Sequence, residues 1–300
     1  MTAQSNERKF IIALRILLVM IVGLMALGAG VRVNNAGLSC PDWPLCYGKV
    51  IPDYHPVVWF EFVHRAYAGL VALLFLGCAI YAWRSNVPKA VKRAAVAGSI
   101  FLFFQIAMGA LTVLLLVKAL VVTMHLMLAT FFFLSVLWMH ESLMTRLGPK
   151  SELVPSGVRV FVGVLPIGIL VQMFIGGLVA STYAGSVCVD WPLCNGQWVP
   201  TWTGAIGLQI IHRFVAYGLA LGILCYATVM HFARHSKWMS DQLKYTTLAL
   251  MILVFVQVAI GVANLLMFIP PSLAVLHQSI AVLLLTLSMR LFFVARARNP

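Results

Sequence analysis

The chain is 300 residues long, 62% hydrophobic and only 10% charged, with a mean hydropathy of +0.98. Soluble domains carry about 25% charged residues, so a water-soluble globule is excluded and the bilayer is the expected solvent. The net charge of +13 would suit a nucleic-acid partner if it formed one patch, but it is spread over the connections between apolar runs, and a nucleic-acid role is set aside.

The first residues, MTAQSNERKF, are short and polar, with neither the cleavage site of a secretory signal nor the Arg/Ser-rich character of a transit peptide. Apolar runs follow at roughly 11–32, 59–83, 94–117, 119–141, 158–180, 203–232, 245–268 and 272–294, each near the length of about 20 residues that a bilayer core demands. In hydrocarbon every backbone polar group must pair within its own segment, so the runs are predicted as helices. The alternating strands of a membrane barrel do not occur. The expected fold is therefore all-α: a polytopic membrane protein with eight transmembrane helices. Lys and Arg collect at the termini and after the second, fourth and sixth runs, for example Arg8, Lys9, Lys89, Lys92, Arg93, Arg146, Lys237 and Arg296. The positive-inside rule then predicts a bacterial plasma-membrane protein with both termini cytoplasmic.

After the first run comes CPDWPLC, Cys40 to Cys46. After the fifth comes CVDWPLC, Cys188 to Cys194. Both loops fall on the outer, oxidising face, where a disulfide within each pair, Cys40–Cys46 and Cys188–Cys194, is the natural state. They also expose a duplication. His64 and His212 keep the same spacing as the cysteines, and GAGVRVNNAGLSC (28–40) parallels GGLVASTYAGSVC (176–188). Farther on, QIAMG (105–109) parallels QVAIG (257–261), and His125 parallels His277. The repeat unit is thus four helices. The chain divides into an N-terminal half at 1–145, a cytoplasmic linker at 146–157 and a C-terminal half at 158–300. The two four-helix bundles are predicted to be related by a pseudo-twofold axis along the membrane normal.

Each half places two histidines a few residues inside a helix. At 1.5 Å per residue they lie about 8–15 Å below the outer surface. An ionisable residue at that depth is a functional candidate, although a single one could equally bond a neighbouring helix. Four of them, paired by helix and depth, point to metal or cofactor ligation. Zinc asks for three or four protein ligands, and two imidazoles per half fall short. A di-iron bundle needs Glu-x-x-His twice, and Gln209 replaces the second glutamate. Haem iron needs only two axial ligands, and without Cys-x-x-Cys-His the haem is not covalently attached. Arg65 and Arg213 follow the first histidine of each half; they are candidates for haem propionates or for snorkelling to head groups. Both sites fall on one side, which argues against a transmembrane electron relay.

Differences between the halves mark the specialised site. Glu61 becomes Gln209, Arg32 becomes Ala180 and Lys118 becomes Pro270. Glu61 stands one helical turn before His64, where a carboxylate can accept a proton, stabilise positive charge or attack covalently. Gln105 and Gln257, beside Gly109 and Gly261, suit interhelical hydrogen bonds and close packing. Cys78 and Cys225 are expected to be inert packing.

Taken together, Glu-x-x-His-Arg at 61–65, Gln-x-x-His-Arg at 209–213, the later histidines and the paired loop cysteines resemble the haem A synthase family, in its bacterial branch with loop cysteines. The resemblance implies an oxidoreductase that converts the C8 methyl of haem O to formyl, making haem A for terminal oxidases. It implies His64 and His125 around the substrate haem with Glu61 as catalytic carboxylate, and a haem b on His212 and His277. Arg32, Arg65 and Arg213 would be cofactor-binding. Haem O synthase and the recipient oxidase become expected partners, beside membrane lipid, and homo-oligomer formation is left open. Two alternatives stand beside this reading: a membrane b-type cytochrome for quinol oxidation or haem delivery, and an outer-face thiol–disulfide oxidoreductase. The cysteine loops are read as cross-linked lids over the haem pockets.

Overall fold

The structure is a computed structural model that describes residues 2–147 and 154–296. Most of the linker expected at 146–157 lies outside the described residues. The described residues form eight long helices: α1 (Thr2–Val33), α2 (Pro56–Arg84), α3 (Lys89–Leu114), α4 (Ala119–Leu147), α5 (Ser156–Ser181), α6 (Gly204–Phe232), α7 (Asp241–Leu266) and α8 (Pro271–Arg296). A single 3₁₀ turn, Ala184–Ser186, follows α5. All eight are long and apolar enough to cross a membrane, and no strand occurs among the described residues. The chain is an all-α, multi-pass membrane protein.

Two compact units divide the chain, Met1–Arg146 and Leu147–Pro300. In the second, α5 packs on α6 and α8, and α7 packs on the same two, giving a closed ring of four helices in chain order. In the first, α2 packs on both α1 and α3, and Arg15 of α1 donates to His140 of α4. Lipid-facing positions stay apolar and exposed, such as Val19, Leu73, Phe103 and Ile252, while Leu14, Phe75, Phe133, Ile223 and Leu250 fill the interiors.

The helices differ from the apolar runs at their ends. α3 and α7 begin at Lys89 and Asp241, several residues before the hydropathy rises, because the hydrogen-bond ladder continues through polar residues at the interface. They stop before it falls. Leu116 and Phe268 have φ of 54° and 59°. Val117 N donates to Thr112 O while Leu116 N donates to Val113 O, and Ile269 and Phe268 repeat both bonds after α7. These are Schellman closures built on leucine and phenylalanine, with no glycine to announce them. α1 ends the same way at Asn35, with φ of 53°.

Close packing in the first unit turns on Gly98 of α3, where a Cβ would stand 2.7 Å from Phe75 Cζ and 3.3 Å from Ser135 Cβ. Phe75 is fully buried and meets Phe132 edge-on. Gly98→Ala is therefore expected to destabilise the protein by about 1–3 kcal/mol, the usual cost of overpacking a filled core. Thermal unfolding in detergent measures it; an unchanged midpoint would mean that Phe75 has room to move.

Candidate functional site

The four in-helix histidines share one local arrangement. His64 of α2 faces Gly28 of α1, where a Cβ would lie 2.9 Å from the ring Cε1. His125 of α4 faces Gly109 of α3 at 3.2 Å, His212 of α6 faces Gly176 of α5 at 3.0 Å, and His277 of α8 faces Gly261 of α7 at 3.0 Å. Each imidazole thus sits in a notch that any side chain on the facing helix would close. In the second unit the histidine-bearing helices α6 and α8 are opposite one another in the ring, with the glycine-bearing helices between them. His212 and His277 are neighbours in the second unit, as His125 and His64 are in the first. The structure brings the histidines together as two pairs, one per unit.

Three glutamines reach these rings. The Gln105 amide lies 3.4 Å from His125 Nε2 and the Gln257 amide 3.3 Å from His277 Nε2. Gln172 of α5 lies 3.1 Å from His212 Nδ1 and also donates to the His212 carbonyl at 2.9 Å. Leu24 holds the corresponding place in the first unit. The Nδ1 atoms of His64, His125 and His277 are buried without a partner. Among the described residues no cluster of three or more His, Cys, Asp or Glu side chains is placed to hold a bare metal ion. Two imidazoles per unit, held in glycine notches and with nitrogens still to be satisfied, fit the two axial positions of a haem.

The two cysteine loops are built alike down to single hydrogen bonds. Asp42 accepts from the N–H groups of Tyr47 and Gly48, at 2.6 and 2.8 Å. Asp190 accepts from Asn195 and Gly196 at 2.5 and 2.8 Å. Tyr47 and Gly48, like Asn195 and Gly196, have positive φ, and the aspartate ties down the N–H groups that such a turn presents. Cys40–Cys46 and Cys188–Cys194 are bonded at 1.98 and 2.07 Å. The second pair packs with Ile210 of α6 in a small buried cluster.

Arginines fasten both loops to the helices below. Arg65 donates to the carbonyls of Asp42 (2.7 Å), Leu45 (2.8 Å) and Cys40 (3.1 Å). Arg213 donates to those of Leu193 (2.7 Å) and Asp190 (3.2 Å). Among the described residues, a carboxylate joins the clamp in the first unit only. Buried Glu61 accepts from Arg65 at 2.5 Å, from Ser39 Oγ at 3.0 Å and from the Cys40 N–H at 2.9 Å. That engages three of the roughly four lone-pair directions of a carboxylate. In the second unit Gln209 is buried with its Oε1 unpartnered, and Val187 replaces Ser39. Arg32 is half-buried at the C-terminal end of α1, where a cation meets the negative end of the helix.

Sequence reading missed the loop-clamp role of Arg65 and Arg213, the histidine partners of Gln105, Gln257 and Gln172, and the notch glycines as a set. The fourfold pairing of a glycine with a histidine on the next helix was the available signal. Cys78 is buried, whereas Cys225 faces outward.

The chain matches the COX15-CtaA family, described as cytochrome oxidase assembly protein, over residues 12–56 and 53–289. It is 33% identical over 291 residues to the heme A synthase of Shouchella clausii, covering 92% of each chain. It is 30% identical to the heme A synthase of Shewanella oneidensis, covering 91% of this chain and 92% of that one. It is 31% identical to the heme A synthase of Halalkalibacterium halodurans, covering 89% and 90%.

The loop aspartates supply a pH test. Hydrogen bonds from the Gly48 and Gly196 N–H groups, first among several, hold Asp42 and Asp190 below the ordinary aspartate value of 3.8. A carboxylate depressed in the folded state stabilises above its unfolded pKa, and the contribution is lost as pH falls through the folded pKa. Loop structure should therefore persist as pH drops through the ordinary aspartate range and loosen only below it. Limited proteolysis of the loops against pH, compared with an Asp42→Asn/Asp190→Asn variant, reads this out. Loosening of the unaltered loops above the ordinary range would contradict it.

Proposed function

The chain belongs to the haem A synthase family, and from that premise we propose that it oxidises the C8 methyl of haem O to a formyl group, producing haem A for terminal oxidases. The observation that carries this reading is a match to the family along almost the whole chain, with two paired-histidine interiors inside the matched region.

In this reading the first unit is the reaction site. His64 and His125 hold the substrate haem from α2 and α4. Glu61 is the proton acceptor, one turn from His64, taking protons released as the methyl group and one water become the formyl group, a change that also gives up four electrons to an external acceptor. Its support is that it is buried and lacks a counterpart carboxylate in the second unit. Ser39, the Cys40 N–H and Arg65 fix its orientation, so that it meets the reacting carbon without first reorganising. The helices around the pair keep out bulk water and limit side reactions of an electron-poor carbon.

The second unit is proposed to hold a resident haem b on His212 and His277, which would supply reversible one-electron exchange. Gln172 and Gln257 orient those rings, as outer-shell partners orient metal-binding histidines elsewhere. Arg32, Arg65 and Arg213 supply positive charge for propionates at the loop-bearing ends. We place these ends on the outer face of a bacterial plasma membrane, with both termini cytoplasmic, because the basic residues collect at the opposite ends. Haem O synthase is the expected donor of a poorly soluble substrate, and the oxidase the recipient. The 1–145 and 158–300 halves are then a catalytic and a cofactor domain.

Co-expression with haem O synthase, followed by mass spectrometry of extracted haems, tests the activity. The expected products are hydroxymethyl and formyl haem; haem O left unchanged would point to haem carriage alone. Glu61→Gln should lower product formation by about 10²–10⁴-fold, the usual worth of a positioned acid or base. Gln209→Ala should leave product formation within a few fold. Equal losses in the two variants would remove the assignment of chemistry to the first unit.

A further inference from the structure

The end of the second unit remote from His212 and His277 contains a cleft of about 750 Å³ between α5 and α8, lined by Ser156, Arg159, Gly163, Ala295 and Arg296 among others. The duplication gives each of these a counterpart in the first unit, where the same place is filled. Buried Ile11 and Leu143 pack there. Arg15 crosses to His140 Nε2 at 3.2 Å and to Met144 Sδ at 3.7 Å, and His140 Nδ1 lies 3.0 Å from Glu141 Oε1. In the second unit Gly163 stands for Arg15 and Ala295 for Leu143, which empties the space. Arg159 stands for Ile11 and Arg296 for Met144, which places two guanidiniums in it. Phe292 and Phe293 stand for His140 and Glu141, which removes the acidic group.

We propose that this cleft binds a phosphate-bearing anion, the head group of an anionic phospholipid. Arg159 Nε is buried with no hydrogen-bond partner. Arg296 lies over the Phe292 ring, 4.2 Å from its centroid, and that contact leaves its N–H edges available to an acceptor. Gly163 lies directly beside this guanidinium: a Cβ there would stand 3.8 Å from Arg296 Nη2, in ordinary contact. Two arginines with no carboxylate among the described lining residues suit a phosphate oxygen better than any neutral head group. α5 has 26 residues, about 39 Å of helix against roughly 30 Å of hydrocarbon, so its end reaches the head-group layer. Basic pockets between membrane helices at this depth are a recognised mode of lipid binding.

Native mass spectrometry of the full-length protein in detergent, titrated separately with phosphatidylglycerol and phosphatidylcholine, tests the site. The wild type should prefer phosphatidylglycerol by about tenfold or more, from roughly 1 kcal/mol per arginine. Arg159→Gln/Arg296→Gln should abolish the preference by removing charge. Gly163→Arg/Ala295→Leu, which restores the residues of the first unit, should abolish it by filling the space. Thermal unfolding of both variants reports whether they are folded. Retention of phosphatidylglycerol against excess inorganic phosphate supports the lipid head group, whereas displacement by it would replace the lipid with a free phosphate compound. Equal preference in the wild type and both folded variants would overturn the site.

Discussion

An imidazole ring can stand inside a tight helical hairpin only where the opposite helix leaves room for it. Here that room is made four times by the loss of a Cβ, at Gly28, Gly109, Gly176 and Gly261, each across from a histidine on the next helix. The constraint is steric and local. It fixes the distance between the two helices of each hairpin and the direction of each ring, and small residues at such contacts are what allow membrane helices to approach closely. In the closed ring of the second unit, the arrangement brings both histidines to one interior from opposite sides. The proposed chemistry depends on these notches, since in each unit the two imidazoles they seat would hold the haem.

The two cysteine loops form the next layer. Each is cross-linked, closed over an aspartate, and clamped by an arginine that directly follows a ligand-candidate histidine. The loop is therefore joined directly to the helix turn that carries the histidine. The first unit adds Glu61 and Ser39 to this clamp and the second adds Gln172 to its histidine. One unit thus carries a buried, oriented carboxylate, and the other carries an extra restraint on a ring. A reacting site and a resident-cofactor site call for that difference. The duplication supplied one scaffold, and in the proposed reading these few substitutions are what distinguish the two sites.

Much of the architecture was legible in the sequence, because it rests on properties that sequence displays directly. Runs of hydrocarbon-compatible residues gave eight helices, and the fixed spacing of Cys40, Cys46 and His64 from Cys188, Cys194 and His212 gave the repeat. The helix ends were less legible. Leu116 and Phe268 adopt left-handed conformations that leucine and phenylalanine do not advertise. Arg65 could be read as a partner for propionates or head groups, but its bonds to three loop carbonyls follow from how the loop folds back, which no local pattern encodes. The notch glycines were visible as letters but not as a set, because each acts through a histidine on another helix. The cleft at Arg159 and Arg296 became meaningful only when aligned with Arg15 and Leu143 of the first unit.

The central claim is that each unit owns one haem position, shaped by its own glycine notches, with substrate in the first and haem b in the second. Haem content and identity in two single variants, purified after co-expression with haem O synthase, test it most directly. Gly176→Val should cost the protein its haem b and leave the first-unit haem in place. Gly28→Val should do the reverse, retaining haem b while losing haem O and its oxidation products. Loss of the same haem from both variants, or of neither, would contradict the claim.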